Sequence, residues 1–227
     1  MEKIVRFREV QPSVVTDNSL GQPIHNAPEG IKNFWHWFGN SKIKDDQGRP
    51  IVSYHGGKFN EKIHEPDTVG KPRKAYQLSF GMHFTPVQSE AEPYVPNKKG
   101  YLTVAYLKML NPLDLTSRDI LPKELYDKFP PNLQKKYNKF YKKHFTDFCP
   151  YGYLGCLETL LDSIKPAEAK AFIESLGYDG VIYTARANML SYYRPFKAFI
   201  VFNPNQIKSI NNNGQFSNGN NITTENT

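Results

Sequence analysis

The 227-residue chain is short of several things that would have placed it quickly. It has no apolar run approaching the roughly 20 residues that a membrane-spanning helix needs, so no membrane partner is expected. Its first residues, "MEKIVRFREVQPSVV", carry no apolar core of the kind a secretory signal uses. The expected compartment is therefore the cytoplasm. It has only two cysteines, Cys149 and Cys156. Six residues separate them and no histidine pair stands beside them, which excludes the usual zinc-knuckle spacing and leaves two reduced thiols as the simplest reading. Neither GxGxxG nor GxxxxGK[ST] occurs, so a nucleotide bound here is not held by a Rossmann turn or a P-loop. No internal repeat is visible, which excludes solenoids and propellers.

Apolar residues make up 39% and aromatics 14% of the chain, enough for a globular core. The net charge is +7, which favours acidic partners such as nucleic acid, phosphates or an acidic protein face without choosing among them.

Residues 1–28, with Pro12, Gly21, Pro23 and Pro28 and little periodicity, read as an N-terminal arm, with one short strand in "KIVRFREV". "PEGIKNFWHWFGNS" reads as a short aromatic helix stopped by Gly39. Asp45, Asp46, Gln47 and Gly48 read as a turn feeding the strand "PIVSYH". "LSFGMHFTP" reads as a short strand, "SEAEPYV" as a helical turn and "GYLTVAYLKMLNPLDL" as the clearest strand. Residues 117–176 have mostly helical period and form an insertion. Its last helix, "KPAEAKAFIESLG", stops at Gly177. "YDGVIYTA" and "KAFIVFNP" are two more strands. From Asn211 the polar, Asn-rich tail 211–227 reads as disordered. Strands, then helices, then strands again give an α+β fold.

Four motifs stand at strand ends: "YHGG", "FGMHF", "GYDGVIY" and "FIVFNPNQIKS". Together and in this order they resemble the ADP-ribosyltransferase superfamily, on the diphtheria-toxin and poly(ADP-ribose) polymerase side. The likeness is greatest to phage and bacterial members and spans about residues 31–210, inside a domain taken as 29–210. The resemblance implies a split β-sandwich of two small mixed sheets around an NAD cleft, with the helical insertion added.

The resemblance also implies roles. NAD would be the substrate, contacted by Tyr54, His55, Gly56, Gly57, Phe84, Thr85 and Tyr94. His55 would hydrogen-bond the adenosine ribose, Gly56 would clamp the nicotinamide amide with its backbone, and Tyr94, eleven residues after His83, would stack on nicotinamide. Gly57 stands where the family usually has Thr or Ser, and His83 where it has its first tyrosine. Catalytic work would fall to His55 and His83, with Gln206 offering an amide near the end of the last strand. Ala198 aligns with the glutamate that binds the nicotinamide ribose in the polymerase branch. Asp179, Glu90 and Glu92 are the other groups weighed for that task, and Arg186 and Arg194 for pyrophosphate.

In the insertion, "NLQKKYNKFYKKHF" interleaves Lys135, Lys136, Lys139, Lys142 and Lys143 with Tyr137, Phe140 and Tyr141. It is either a solvated amphipathic face or a docking face for the target. The expected function is a monomeric mono-ADP-ribosyltransferase, a toxin or effector type of enzyme, that moves ADP-ribose from NAD to an acidic protein or a nucleic acid. It would act in a bacterial or phage-infected cell, or be delivered into a host cell. The alternatives are a catalytically impaired NAD-binding or inhibitory module and a basic accessory protein for nucleic acid. No metal is expected.

Overall fold

In the computed structural model, which describes residues 14–57, 81–95, 100–116, 123–132, 134–135, 138–139, 166–186 and 195–219, Pro28 opens helix α1 (Pro28–Phe38). Its fixed φ suits a first helical turn, where the missing N–H has no partner to lose. Gly39, at φ +55°, ends the helix and donates its N–H to the Trp35 carbonyl. Phe34, Trp37 and Phe38, spaced three and four apart, share one buried face.

The chain then turns at residues 45–48. Asp45 accepts from the backbone N–H groups of Gln47 and Arg49 and from Arg49 Nε at 2.8 Å. Burial alone would raise its carboxyl pKa. The hydrogen bonds from the Arg49 side chain and backbone and from Gln47, with the Arg49 charge, bring it below the ordinary range.

Among the described residues seven strands follow: β1 (Ser53–Gly57), β2 (Met82–Phe84), β3 (Tyr101–Leu107), β4 (Leu113–Leu115), β5 (Gly180–Arg186), β6 (Pro195–Val201) and β7 (Ile207–Ser209). They form two sheets, one ordered β1-β3-β7 and one ordered β2-β6-β5-β4. The pairs in the first sheet are antiparallel. In the second, β4 runs parallel to β5 and the other pairs are antiparallel. The stretch that reads as one clear strand is two. β3 ends at Leu107, and after the Asn111-Pro112 break β4 joins the other sheet, because Pro112 cannot continue a ladder.

Three apolar clusters hold these layers. Met82, Phe84, Ala105, Leu107, Phe199 and Val201 fill the space between the sheets. Val181, Ile200 and Leu113 on the second sheet are covered by Leu125 and Phe129, and by Ile173 of helix α4 (Pro166–Ser175). Between them in sequence lie helices α2 (Gln88–Ala91) and α3 (Lys123–Tyr126). The aromatic face of α1 packs on Val52, Tyr54 and Tyr106 of the first sheet. This is an α+β fold with two small sheets, as the resemblance implied.

Two segments differ from the sequence reading. The described part of the N-terminal arm packs on the domain. Ile24 and Asn18 are buried, Asn18 Nδ2 donates to the Tyr106 hydroxyl at 3.1 Å, and Trp35 Nε1 donates to the Val15 carbonyl. The tail, expected to be disordered from Asn211, is ordered as far as Gly219. Phe216 inserts among Phe34 and Trp37 of α1, and Asn212 Oδ1 accepts from the N–H groups of Gly214 and Phe216. Those bonds hold Phe216 at φ +41°, a conformation unusual for a bulky residue. The strand read in "KIVRFREV" and the two cysteines lie outside the described residues.

Candidate functional site

Among the described residues the backbones of the two sheets are joined at one bridge. Tyr54 N–H donates to the Thr85 carbonyl at 2.7 Å, and Thr85 N–H donates back to Tyr54 at 3.0 Å. The bridge is isolated. Continuing its register would pair Gly56 with His83, but the ladder stops and the strands part. The candidate site is built around this wedge.

His55 spans the wedge. Its Nδ1 lies 2.7 Å from the His83 carbonyl oxygen, which can only accept, so Nδ1 carries a proton and donates. The ring packs on Phe84 at 5.4 Å between centroids. It also folds over Gly57: a Cβ there would stand 2.6 Å from Nε2. Gly57, which departs from the Thr or Ser of the resemblance, is thus the space in which the His55 ring sits.

Gly56 is required by the fold as well as offered to a ligand. A Cβ on it would run into the Ala91 carbonyl and come within 3.2 Å of the Tyr94 Cβ. The glycine lets α2 and the 3-10 turn Glu92–Tyr94 lie against β1, and this brings Tyr94 to the wedge. The Tyr94 ring remains 51% exposed beside the glycine. In an antiparallel ladder alternate residues send their N–H and C=O to opposite edges. Tyr54 sends its pair to Thr85, so Gly56 sends its own pair to the same edge, into the wedge. The His83 carbonyl that register would have set opposite is taken by His55 instead.

His83 faces the outer side of the second sheet. Directly opposed residues in a pair share a face. The register sets His83 opposite Ile200 and Ala198 opposite Tyr183. Alternation from Thr85 and across β6 therefore puts Thr85, His83, Ala198 and Tyr183 on one face, continuous through the bridge with Tyr54 and Gly56. His83 Nδ1 lies 3.2 Å from the Tyr183 hydroxyl, with the two rings edge-to-face. Tyr183 was not singled out by sequence. Its one signal was its position in "GYDGVIY", and its neighbours are set by register that sequence does not display.

Gln206 is not at the site. It is buried, and its amide serves four backbone groups. Oε1 accepts from Phe202 N–H and Asn203 N–H, and Nε2 donates to the Lys108 and Asp179 carbonyls. It ties the end of β6 to the end of β3 and the start of β5, which leaves its amide no group for catalysis. Asp179 is likewise a tie: its carboxylate accepts from Leu110 and Asn111 N–H. Glu92 accepts from Gln88 Nε2 on the exposed side of its turn. Lys135 and Lys139 are exposed. Lys136, Lys142 and Lys143, and the side chains of Arg186 and Arg194, lie outside the described residues.

An isolated bridge, strands that part beyond it and a backbone amide edge beside an exposed tyrosine make up the candidate site. A family model described as "ADP-Ribosyltransferase in polyvalent proteins" matches residues 45–216. The chain belongs to that family. No curated protein and no solved structure shows significant similarity to it. ADP-ribosyltransferases use NAD as their substrate. Among the described residues no group of three or more potential metal ligands occurs, and no helix is long and apolar enough to cross a membrane.

Proposed function

We propose that this protein is a mono-ADP-ribosyltransferase that cleaves NAD and transfers ADP-ribose to a macromolecular target. The observation that carries the reading is the Gly56 edge, which turns an unpaired N–H and C=O into the wedge beside Tyr94. Gly56 holds the nicotinamide carboxamide, Tyr94 covers its ring, and His55 presents Nε2 to a ribose hydroxyl. In the reaction the bond from ribose C1′ to the nicotinamide nitrogen breaks and its electron pair leaves with neutral nicotinamide. A nucleophile of the target supplies the new bond to C1′ and releases its proton.

A second reading is favoured by one residue. Ala198 has no polar atom where the polymerase branch has its glutamate, and a missing preorganised carboxylate costs several kcal/mol of barrier. On that reading the protein binds NAD and transfers nothing.

Purified protein incubated with labelled NAD and lysate protein or nucleic acid separates the two. Transfer, or release of nicotinamide, is expected from wild type, with a drop of roughly 10²-fold in His55→Ala. NAD binding with neither transfer nor hydrolysis leaves only the binding module. Absence of NAD binding removes both readings.

A further inference from the structure

We propose that the Tyr183 hydroxyl, aimed by His83, is the group that contacts the nicotinamide ribose from the side on which this chain has Ala198. The assignment rests on the reading of the wedge as an NAD cleft and adds a residue to it.

Three observations carry it. First, Tyr183 is the direct cross-strand partner of Ala198, so the two Cβ atoms stand about 5 Å apart on one face. A residue as small as alanine leaves the volume on that face to the tyrosine ring. Second, the ring has a fixed orientation. Its hydroxyl is 3.2 Å from His83 Nδ1, and the rings meet edge-to-face at 81°. His83 lies on the neighbouring strand of β6, so two strands hold the pair. Third, His83 is the residue whose carbonyl accepts from His55 Nδ1. A continuous path of hydrogen bonds and backbone runs from the His55 ring through His83 to Tyr183. All three side chains are only half-buried. A tyrosine whose task was packing alone would need no polar partner on a half-exposed surface. Tyr183 packs its ring against the Val181–Ile200 cluster and keeps its oxygen 3.2 Å from His83 Nδ1 on β2, the strand that leads into the bridge, and a phenol both donates to and accepts from a sugar hydroxyl.

The neutral phenol also bears on specificity. A carboxylate only accepts, whereas a phenol–imidazole pair can satisfy a ribose hydroxyl in either sense. It binds the sugar without placing a full charge beside C1′.

The test measures binding and does not depend on turnover. NAD and two analogues, lacking the 2′- or the 3′-hydroxyl of the nicotinamide ribose, are titrated into wild type and Tyr183→Phe at low temperature. Wild type is expected to bind one analogue more weakly than NAD. Tyr183→Phe is expected to weaken NAD about 3- to 10-fold, the worth of one hydrogen bond, while binding that analogue as wild type does. An equal loss on all three ligands, or none on NAD, overturns the assignment. So does a wild type that does not distinguish the analogues. A melting curve shows whether Tyr183→Phe is folded. Should it not be, His83→Phe, which removes the aiming partner, must abolish the same discrimination, and its persistence overturns the proposal. If wild type binds none of the three, the NAD reading itself fails; if it binds NAD and Tyr183→Phe is indistinguishable from it, Tyr183 alone fails.

Discussion

The two ends of the wedge treat their motif residues differently. At the β1 end, the residues that stand out in "SYHGG" remain at the wedge: His55 reaches across it, Gly56 turns its backbone into it, and Gly57 makes room for the ring. At the β6 end, "KAFIVFNPNQ" is absorbed by the fold. Ala198 is apolar, and Gln206 is committed to four backbone groups. Motif order alone suggests that both ends serve a ligand. The structure separates an end that stays open at the wedge from a load-carrying end, and in the reading proposed above the polar group that the second end lacks comes from the neighbouring strand as Tyr183.

The largest test of this contrast is Gln206→Ala. It strips partners from buried backbone groups at roughly 1–3 kcal/mol each, so a loss of about 3 kcal/mol or more in denaturant unfolding is expected. NAD affinity per folded molecule should be unchanged. A stable variant that has lost NAD binding would return Gln206 to the site. Next comes Gly56→Ala, whose Cβ meets the Ala91 carbonyl. Overpacking of this kind costs about 1–3 kcal/mol. Here stability and NAD affinity should fall together, because displacing the 88–94 turn also moves Tyr94. Loss of affinity at full stability would mean that the turn had not moved.

Lys208, two residues beyond Gln206 and fully buried, offers a pH test of the load-carrying end. Burial lowers its pKa from 10.5 to about 8, although Nζ donates to the Gly219 carbonyl at 2.7 Å. The folded protein therefore gives up this proton earlier than the unfolded chain does. The unfolded state holds more protons between about pH 8 and 10.5, so this residue's contribution to stability rises with pH across that window. Below pH 8 both states carry the charge and its burial cost is fully present. Melting curves of wild type minus Lys208→Met should show that rise and no slope below the window. The smallest effect is Tyr94→Ala. With its ring 51% exposed, it should leave the melting temperature within a degree or two while weakening NAD by about 2- to 12-fold, the range of one aromatic stacking contact. A large loss of stability would make Tyr94 a packing residue.

Local features were legible in the sequence. The turn at 45–48, the short strand carrying His83, the stop at Gly39 and the strand after Asp179 follow from residues a few positions apart. What could not be read depends on pairing across distance. The Ala198–Tyr183 opposition follows from the β5–β6 register, and the role of Gln206 from carbonyls at Lys108 and Asp179. Composition misled in the Asn-rich tail. A polar segment reads as solvated, yet one phenylalanine with a cavity to enter and one asparagine to lock the backbone suffice to order it. The glycines carried two meanings at once. Gly56 was read for a ligand's approach, and the fold also uses it for the approach of α2.

The placement of Phe216 has a consequence for the order in which the domain assembles. Its ring lies between His25 and Trp37, and Asn33 of α1 donates to the Gly214 carbonyl. The first helix of the domain is thus completed by residues that lie as far on as the 181 positions from Asn33 to Gly214. During synthesis the aromatic face of α1 can pack on Val52, Tyr54 and Tyr106 of the first sheet, but the place that Phe216 fills stays open until that residue has left the ribosome. Contacts of such long sequence separation slow folding. A fragment ending after β7 at Ser209 would hold both sheets and still lack the ring that completes that face. The closing of the chain over α1 thus waits for residues 212–216, and it completes a cluster that also holds Tyr54 of the bridge and Ala91 beside Gly56.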